Sequence, residues 1–462
     1  MALFKDYDSV TNYLYNLTRI GMKPGLKNIE ALLEELGNPH KELNVIHVAG
    51  TKGKGSTCAM IASILKTAGY KCGLYTSPHL VNYTERMKIN DREITRTEVI
   101  KRASKLKEIA DRLKEKDIHC TFFEITTALA FDYFADRKVD VAVVEVGIGG
   151  RLDATNIVDP MCCIITNIDY EHTELLGTSL SKIAFEKAGI IKFKKPVITA
   201  EQNKEPLSII KNIALQNNSN LEIVGQNINF HELTIEEKKE INPTLLSVIS
   251  TKKPKSERVY STTEFDDIYK PVFDLRTPER EYKSLVLNLY GTHQIENACC
   301  AVRAVELIND KFPVEINAIY KGLHSVNWKG RFEILHLRVQ SSGVRGHAQG
   351  TMHDALRIIL DCAHTPTSAL KFVETYKKIF NNQKAIILFG MLKEKQAEPF
   401  LKFISTIGDE LIITKPKTLR AFAPETLKPI AEKYFSKIYI EPEIQKAYSL
   451  GTYRSALSTK NL

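Results

Sequence analysis

The residues best suited to chemistry lie in "HVAGTKGKGS", residues 47 to 56, where Gly50, Gly53 and Gly55 alternate with Lys52 and Lys54. An apolar run precedes the stretch and an amphipathic pattern, "STCAMIASILKTAG", follows it. A glycine loop between a strand and a helix can wrap its backbone around phosphate oxygens, because glycine tolerates backbone angles and close approaches that other residues resist. The helix start adds unpaired N–H groups and a positive dipole end. Gly50, Thr51, Gly53, Lys54, Gly55 and Ser56 are therefore candidate nucleotide-phosphate contacts. Lys54 supplies a point charge, and Ser56 offers a hydroxyl to a phosphate-bound Mg²⁺. The spacing reads G-x-x-G-K-G-S and departs from the usual G-x-x-x-x-G-K-[ST]. Taken alone it is also compatible with a plain turn; the strand before it and the helix after it favour phosphate. Kinases, ATPases and ligases all fit such a loop.

Other stretches narrow the chemistry. "TSPHLVNYTERMKIND" (76–91) follows the strand-like "KCGLYTS". "TFFE" (121–124) sets two aromatic rings beside a carboxylate. "EVGIGGRLDATN" (145–156) places Glu145 at a strand end, followed by glycine-rich backbone, Arg151 and Asp153. "NIDYEHTELLG" (167–177) places His172 just past another strand, and "IAFEKAGIIK" (183–192) puts Lys187 in an apolar setting. "GTHQIENA" (291–298), "WKGRFE" (328–333) and "LDCAHTP" (360–366) lie farther on. Singly, each has a bland explanation: Ser77 a turn residue before Pro78, His172 a surface histidine, Lys187 a solvated helix lysine, Phe122 and Phe123 core, Arg331 a linker arginine. Glu145 is harder to dismiss, since a carboxylate at the end of an apolar run needs a partner.

The elements that must position these residues read as α/β. "NVIHVAG", "VDVAVVEVG" and "MCCIITNID" are short apolar runs ending in polar residues, as parallel strands with functional C-terminal ends do. Residues 201–290 are polar and charged and read as a peripheral β-rich elaboration. From about 328 the α/β alternation restarts. "RIILD", "AIILFGM", "ELIITKP" and "SKIYIEP" read as strands with helices between them, a second and smaller doubly wound domain. The division is thus 1–327 and 328–462. "QSSGVRGHAQGTMHD" (340–354) reads as a surface insertion; His336, His347 and His353 lack the acidic or cysteine partners a metal site would use.

Composition sets further bounds. The 462 residues carry a net charge of +9, spread along the chain rather than gathered in a tail. This suits a solvated basic surface or a cleft for small anions better than nucleic-acid binding. Eight cysteines show no C-x-x-C spacing, and no stretch has the roughly 20 apolar residues of a membrane span. The start, "MALFKDYDSV", lacks a signal pattern. The expectation is a reduced, cytoplasmic protein with no membrane partner.

Taken in order, these stretches resemble the folylpolyglutamate synthase and dihydrofolate synthase family of Mur-ligase-like, ATP-dependent amide ligases, over most of residues 20 to 440. The resemblance implies a P-loop-type three-layer N-terminal domain carrying the folate-binding loops and a smaller Rossmann-like C-terminal domain, with ATP and substrates between them. It implies ATP and two Mg²⁺ sites as cofactors. Ser77 and Glu145 match ligands of the first Mg²⁺, His172 a ligand of the second, and Lys187 a lysine that becomes carbamylated to support it. Asn297, Arg331, Asp361 and His364 match ATP contacts. Thr121, Phe122, Phe123 and Glu124, with Leu152, Asp153 and Ala154, match the pterin-binding segments. Lys187, His172 and Glu145 are the catalytic set so implied. Where the family pattern has Gly and Asn in "DGAHNP", this chain has Cys362 and Thr365, so the local turn is expected to differ. The family's second domain ends in a strand with a Gly-Ser turn; here the sequence reads "GTYRSALSTKNL", so that sheet edge and part of the glutamate site are expected to differ too.

The implied reaction phosphorylates a pterin substrate's carboxylate with ATP and lets the amine of L-glutamate displace phosphate, giving an amide. The substrate is dihydropteroate, a folate, or both; the partners are small molecules, and the protein is expected to be a monomer. The rivals are another Mur-like amino-acid ligase, a small-molecule kinase, and a nucleotide-binding protein without turnover.

Overall fold

The computed structural model describes residues 4–17, 25–241, 269–338, 355–381 and 383–459. They fall into two compact units: Met1–Ile241 with Pro271–Asn288 and His293–Asn327, and Asn242–Lys270 with Leu289–Thr292 and Trp328–Leu462.

The first unit is built on one sheet. After α1 (Tyr7–Leu17) and α2 (Lys27–Leu36) come β1 (Val45–Ala49), α3 (Lys54–Thr67), β2 (Cys72–Tyr75), β3 (Met87–Ile89), β4 (Arg92–Glu93), α4 (Arg96–Glu115), α5 (Phe122–Asp136), β5 (Val141–Glu145), β6 (Cys162–Ile165), α6 (Thr173–Leu176), α7 (Leu180–Ala188), β7 (Val197–Thr199), α8 (Lys204–Gln216) and β8 (Leu221–Ile223). The strand order is β4-β3-β2-β5-β1-β6-β7-β8. β2, β5, β1, β6, β7 and β8 run parallel, while β3 and β4 turn back antiparallel. Every residue of β1, β2, β5 and β6 is buried. That explains their continuous apolar runs: a parallel strand covered on both faces has no solvent side to mark with polar residues.

β1 lies in the middle of the sheet, so the loop leaving its C-terminal end has neighbours on both sides. α3, which follows that loop, is buried from Ser56 through Leu65. Its burial depends on small residues. The chain continues through β9 (Asn229–Glu232), α9 (Ile235–Ile241), β10 (Val272–Arg276), β11 (Glu281–Val286), α10 (Thr292–Leu307) and α11 (Ile316–Ser325). α11 crosses α3 so closely that a Cβ on Gly322 would come within 2.6 Å of Ile64 Cα. The Ser63 hydroxyl donates to the Gly322 carbonyl at 2.7 Å.

Two expectations change. Residues 201–290 are only partly a β elaboration: β9, β10 and β11 form a separate antiparallel sheet, but β8 completes the main parallel sheet beside β7. Its short "LEI" run carries too little pattern to be recognised. In the second unit, "RIILD" is not part of a parallel alternation. It lies in β13 (Ala355–Leu360), which pairs antiparallel with β12 (Glu333–Arg338). Beyond α12 (Pro366–Phe380), β14 (Ile386–Phe389), β15 (Glu410–Ile413) and β16 (Lys437–Ile440) form a parallel sheet, with α13 (Ala397–Ile404) and α14 (Pro424–Ala431) between the strands and α15 (Ile444–Thr459) after them. The "GTYRSAL" segment is thus helical, and Arg454 donates to Glu410 at 2.7 Å. His347, His353 and most of the expected insertion lie outside the described residues; His336 sits on β12.

Cys362 is exposed and the other seven cysteines are buried and free. Burial pushes the Cys163 thiol up to about 12, so these cysteines behave as small hydrophobes. No helix of the described residues is long and apolar enough to cross a membrane.

A buried ion cluster ties β8 to α10 and β11. Arg303 donates to both Glu222 oxygens at 2.6 and 2.8 Å and to Glu306 at 3.0 Å. Glu306 also accepts from the Tyr282 hydroxyl at 2.8 Å and from Thr277 at 2.9 Å. Removing the cation would leave two buried carboxylates facing each other. Arg303→Ala is expected to lower unfolding stability by about 3 kcal/mol or more, read from the urea midpoint; a shift of under about 0.5 kcal/mol would show that the cluster contributes nothing.

Candidate active site

The phosphate-type loop is fixed by packing as well as by conformation. Gly50 and Gly53 have φ of 144° and 88°, and Gly53 caps the start of α3. A Cβ at Gly50 would lie 1.8 Å from Thr166 Oγ1; one at Gly53 would lie 2.3 Å from Asn297 Oδ1. Both positions therefore need glycine twice over, for φ and for space. The segment after β6 clamps the loop. Thr51 N–H donates to the Asn167 carbonyl at 2.7 Å, Lys52 N–H to Asn167 Oδ1 at 2.9 Å, and the Thr166 hydroxyl to the Lys52 carbonyl at 2.6 Å. Lys52 Nζ pairs with Glu171 at 3.0 Å. Thr166, Asn167 and Glu171 were not named as candidates in the sequence, although Asn167 and Glu171 lie in the quoted stretch "NIDYEHTELLG".

Two lysine side chains converge on one carbonyl. Lys54 Nζ donates to Gly50 O at 3.1 Å and Lys187 Nζ donates to the same oxygen at 2.7 Å. Lys187, at the end of α7, is only 3% exposed. Burial, and then the Lys54 charge, hold its amine well below the usual lysine range. It is therefore unlike a solvated helix lysine.

Glu145 ends β5 opposite Val48 of β1, next to the loop. Its Oε2 accepts from Ser77 N–H at 3.0 Å, which joins two of the residues expected at a metal. Mg²⁺ usually takes one or two carboxylates and completes its shell with water and phosphate oxygens, so a buried glutamate next to Ser77 and a phosphate-type loop suits it. His172 begins α6 at a φ of 51° and lies 3.9 Å from Glu174. It belongs to the same β6–α6 segment as the clamp. Among the described residues, no three His, Cys, Asp or Glu side chains form a ready-made metal cluster.

The expected pterin segments lie at the start of α5 and in the loop after β5. Thr121 and Glu124 form a capping box: Thr121 N–H donates to Glu124 Oε2 at 2.6 Å, and Glu124 N–H to Thr121 Oγ1 at 3.4 Å. Phe123 lies against bare backbone, since a Cβ on Gly147 would be 2.4 Å from its ring. Phe122 stacks near Tyr15, with centroids 6.0 Å apart, and meets Tyr83 edge-on. Leu152 and Ala154 flank Asp153, whose carboxylate is drawn inward. Its Oδ2 accepts from Ile148 N–H at 2.9 Å, and its Oδ1 from Thr155 N–H at 3.0 Å and the Thr155 hydroxyl at 2.5 Å. Asp153 and Glu124, both buried, thus hold backbone in place.

A further link runs from Asp153 to the centre of the sheet. His47 Nε2 lies 2.9 Å from Thr155 Oγ1. The Thr155 proton goes to Asp153, so His47 must donate from Nε2, leaving Nδ1 unprotonated; that buried Nδ1 has no hydrogen-bond partner.

In the second unit, Arg331, Asp361 and His364 come together where β12 and β13 meet α12. Asp361 accepts from Phe332 N–H at 2.8 Å and Ala363 N–H at 2.7 Å. Arg331 Nη1 donates to the Gly330 carbonyl, which also accepts from Cys362 N–H at 3.0 Å. His364 Nδ1 lies 2.9 Å from the Cys362 carbonyl. Thr365 caps α12 by accepting from Ser368 N–H at 3.3 Å, so it acts as a helix start here.

Comparison with known proteins identifies the family. Residues 48–305 match the Mur ligase middle domain, and residues 345–455 match the Mur ligase, glutamate ligase domain. The chain is 32% identical over 410 residues to the dihydrofolate synthase/folylpolyglutamate synthase of Bacillus subtilis, covering 88% of this chain and 84% of that one. The chain belongs to the folylpolyglutamate synthase/dihydrofolate synthase family of Mur ligases. The Escherichia coli family member is 31% identical over 399 residues, covering 86% of this chain and 79% of its own length. Among solved structures, folylpolyglutamate synthase of Thermotoga maritima superposes with a TM-score of 0.78 at 32% identity, covering 96% of this chain and 91% of that one. E. coli FolC in complex with DHPP and ADP gives 0.76 at 28% identity, covering 97% and 92%. The fold of this family member is accordingly the two-domain α/β fold of Mur ligases.

His47 gives this ligase a specific pH signature. Burial holds its pKa down to about 3, against 6.5 when unfolded. Stability contributed by the neutral ring is therefore complete above pH 6.5 and is lost as pH falls toward 3. At pH 5 the loss is about 2 kcal/mol relative to pH 7. In His47→Gln, the stability difference between pH 7 and pH 5 should shrink by that amount in urea titrations; an undiminished difference would show that His47 does not titrate this way.

Proposed function

We propose that this protein is an ATP-dependent ligase that adds L-glutamate to dihydropteroate, to a folate, or to both. The observation that carries the reading is the loop itself: Gly50 and Gly53 in positions only glycine can occupy, two lysines on the Gly50 carbonyl, and the Ser77–Glu145 pair at the neighbouring strand end. Relatives named for the same two activities support the choice of substrates, as does a structural neighbour holding DHPP and ADP. We assign residues 1–327 to the ATP-binding domain with its folate-binding loops, and residues 328–462 to the Rossmann-like domain. The protein acts in the cytoplasm as a monomer.

The chemistry follows from charge. A carboxylate oxygen attacks the γ-phosphorus, the bond to ADP breaks, and an acyl phosphate forms. The glutamate amine then attacks the acyl carbon, loses its proton and expels phosphate. Both steps gather anions, so cations and N–H donors must already be in place. Residues 50–56 cradle the phosphates, Lys54 adds charge, and Asn297, Arg331, Asp361 and His364 contact ATP. Thr121–Glu124 and Leu152–Ala154 seat the pterin, with Phe122, Phe123 and Leu152 half-buried and the other residues buried. Ser77 and Glu145 would hold one Mg²⁺ and His172 a second; bound there, the ions neutralise phosphate oxygens. Lys187 fits the second site as a carbamate. Burial lowers the cost of deprotonating this lysine, and its free amine can take up CO₂, releasing a proton and leaving an anionic carbamate.

Purified protein with ATP, Mg²⁺ and L-glutamate is expected to release phosphate and form an amide when dihydropteroate or tetrahydrofolate is added. Glutamate-independent phosphorylation would instead make it a kinase, and no product with any pterin would end the reading. Lys187→Ala should lower kcat about 100-fold, with partial recovery in small carboxylates, and native mass spectra of the unsubstituted protein should show one added CO₂. An undiminished rate in Lys187→Ala would remove this lysine from the reaction.

A further inference from the structure

Among the described residues, Arg86 is a buried cation without an anion. The residue is 7% exposed. Its Nε donates to His79 Nδ1 at 2.8 Å, and its guanidinium lies over the Phe122 ring at 5.2 Å from the centroid. No Asp or Glu of the described residues pairs with it. The acidic neighbours are occupied elsewhere. Glu85 accepts three backbone N–H groups, from Leu80, Val81 and Asn82, and Glu93 accepts from the Thr84 hydroxyl. A largely buried guanidinium with no counter-charge among the described residues is costly, and its Nη1 and Nη2, which are not among the buried atoms lacking a partner, present an unfilled fork of donors toward solvent.

The surroundings keep that fork in place. Because His79 Nδ1 accepts from Arg86, its proton sits on Nε2, which donates to the Tyr15 hydroxyl at 3.3 Å. Tyr15 and Tyr83 pack on Phe122 from the other sides. One edge of the guanidinium is therefore satisfied by a neutral histidine and one face by an aromatic ring. Only its end remains for a ligand. On the same loop, Leu80 and Val81 are half and four-fifths exposed, an apolar surface suited to a ligand with a hydrophobic body. The loop is also tied to the reaction centre: Thr76 N–H donates to the Arg86 carbonyl at 3.0 Å, and the next residue, Ser77, donates to Glu145.

We propose that Arg86, oriented by His79 and Phe122, is an anion subsite that receives the non-reacting α-carboxylate of a folate's glutamyl tail while the γ-carboxylate is phosphorylated. Dihydropteroate has a single carboxylate, which must react, so this subsite contributes only to folates and sets the preference between the two substrate classes. The assignment deepens the ligase reading above and rests on it.

The test compares tetrahydrofolate monoglutamate with its α-carboxamide, which keeps the reacting γ-carboxylate and removes the other charge. The unsubstituted protein should prefer the acid in kcat/KM by about tenfold to a hundredfold. In Arg86→Gln that ratio should collapse toward one, chiefly through KM for the acid. Arg86→Lys, a point charge without a fork, should fall between. A purely structural arginine would lower both substrates in parallel and leave the ratio intact, which would overturn the proposal; so would an unsubstituted protein that does not discriminate. If Arg86→Gln fails to fold, Arg86→Lys reads the same ratio. Absence of turnover with every pterin would instead defeat the ligase reading, and equilibrium binding of the acid against the amide would still decide the subsite.

Discussion

Everything in the first unit is arranged around two stretches of bare backbone, at Gly50 and Gly53, pressed against Thr166 and Asn297. The loop leaves the middle strand of an eight-stranded sheet, so it is flanked by the ends of β5 and β6. On the β6 side, Thr166 and Asn167 hold its carbonyls and N–H groups; on the β5 side, Glu145 collects Ser77. The close crossing of α3 and α11 at Gly322 fixes the helix that follows. A loop so constrained needs little rearrangement to present donors to phosphate, which is what electrostatic preorganisation requires.

The charges around the loop are unbalanced in an informative way. Lys54 and Lys187 share the Gly50 carbonyl, with Lys52 already paired to Glu171. Two lysines on one oxygen are tolerated because burial depresses Lys187. Burial there disfavours the ammonium form, and an excess of positive groups suits a polyphosphate. Two buried carboxylates are directed the other way: Asp153 and Glu124 turn toward backbone N–H groups.

Much of this was legible in the sequence because motif and element coincided. The glycine loop lay between an apolar run and a helical pattern, and Glu145, His172 and Lys187 each followed or ended a recognisable element. Parallel strands buried on both faces wrote themselves as unbroken apolar runs. What stayed hidden depended on contacts between distant segments. β8 is three residues long, and β12 begins in a glycine- and aromatic-rich turn that carries no alternation. The His47–Thr155–Asp153 chain joins residues 108 apart in sequence. Arg86 sat inside a quoted motif, but its isolation from Glu85 and Glu93 exists only once those carboxylates have found other partners.

The account's central claim is that the loop's function comes from backbone that only glycine can shape. Gly53→Ala tests it most directly, by the affinity for a non-hydrolysable ATP analogue alongside the thermal midpoint. A methyl group there must displace Asn297 or the loop, and the positive φ itself costs about 1–2 kcal/mol for a non-glycine residue. The account predicts nucleotide binding weaker by about tenfold or more in a protein that still unfolds cooperatively. Unchanged affinity in a folded Gly53→Ala protein would contradict it.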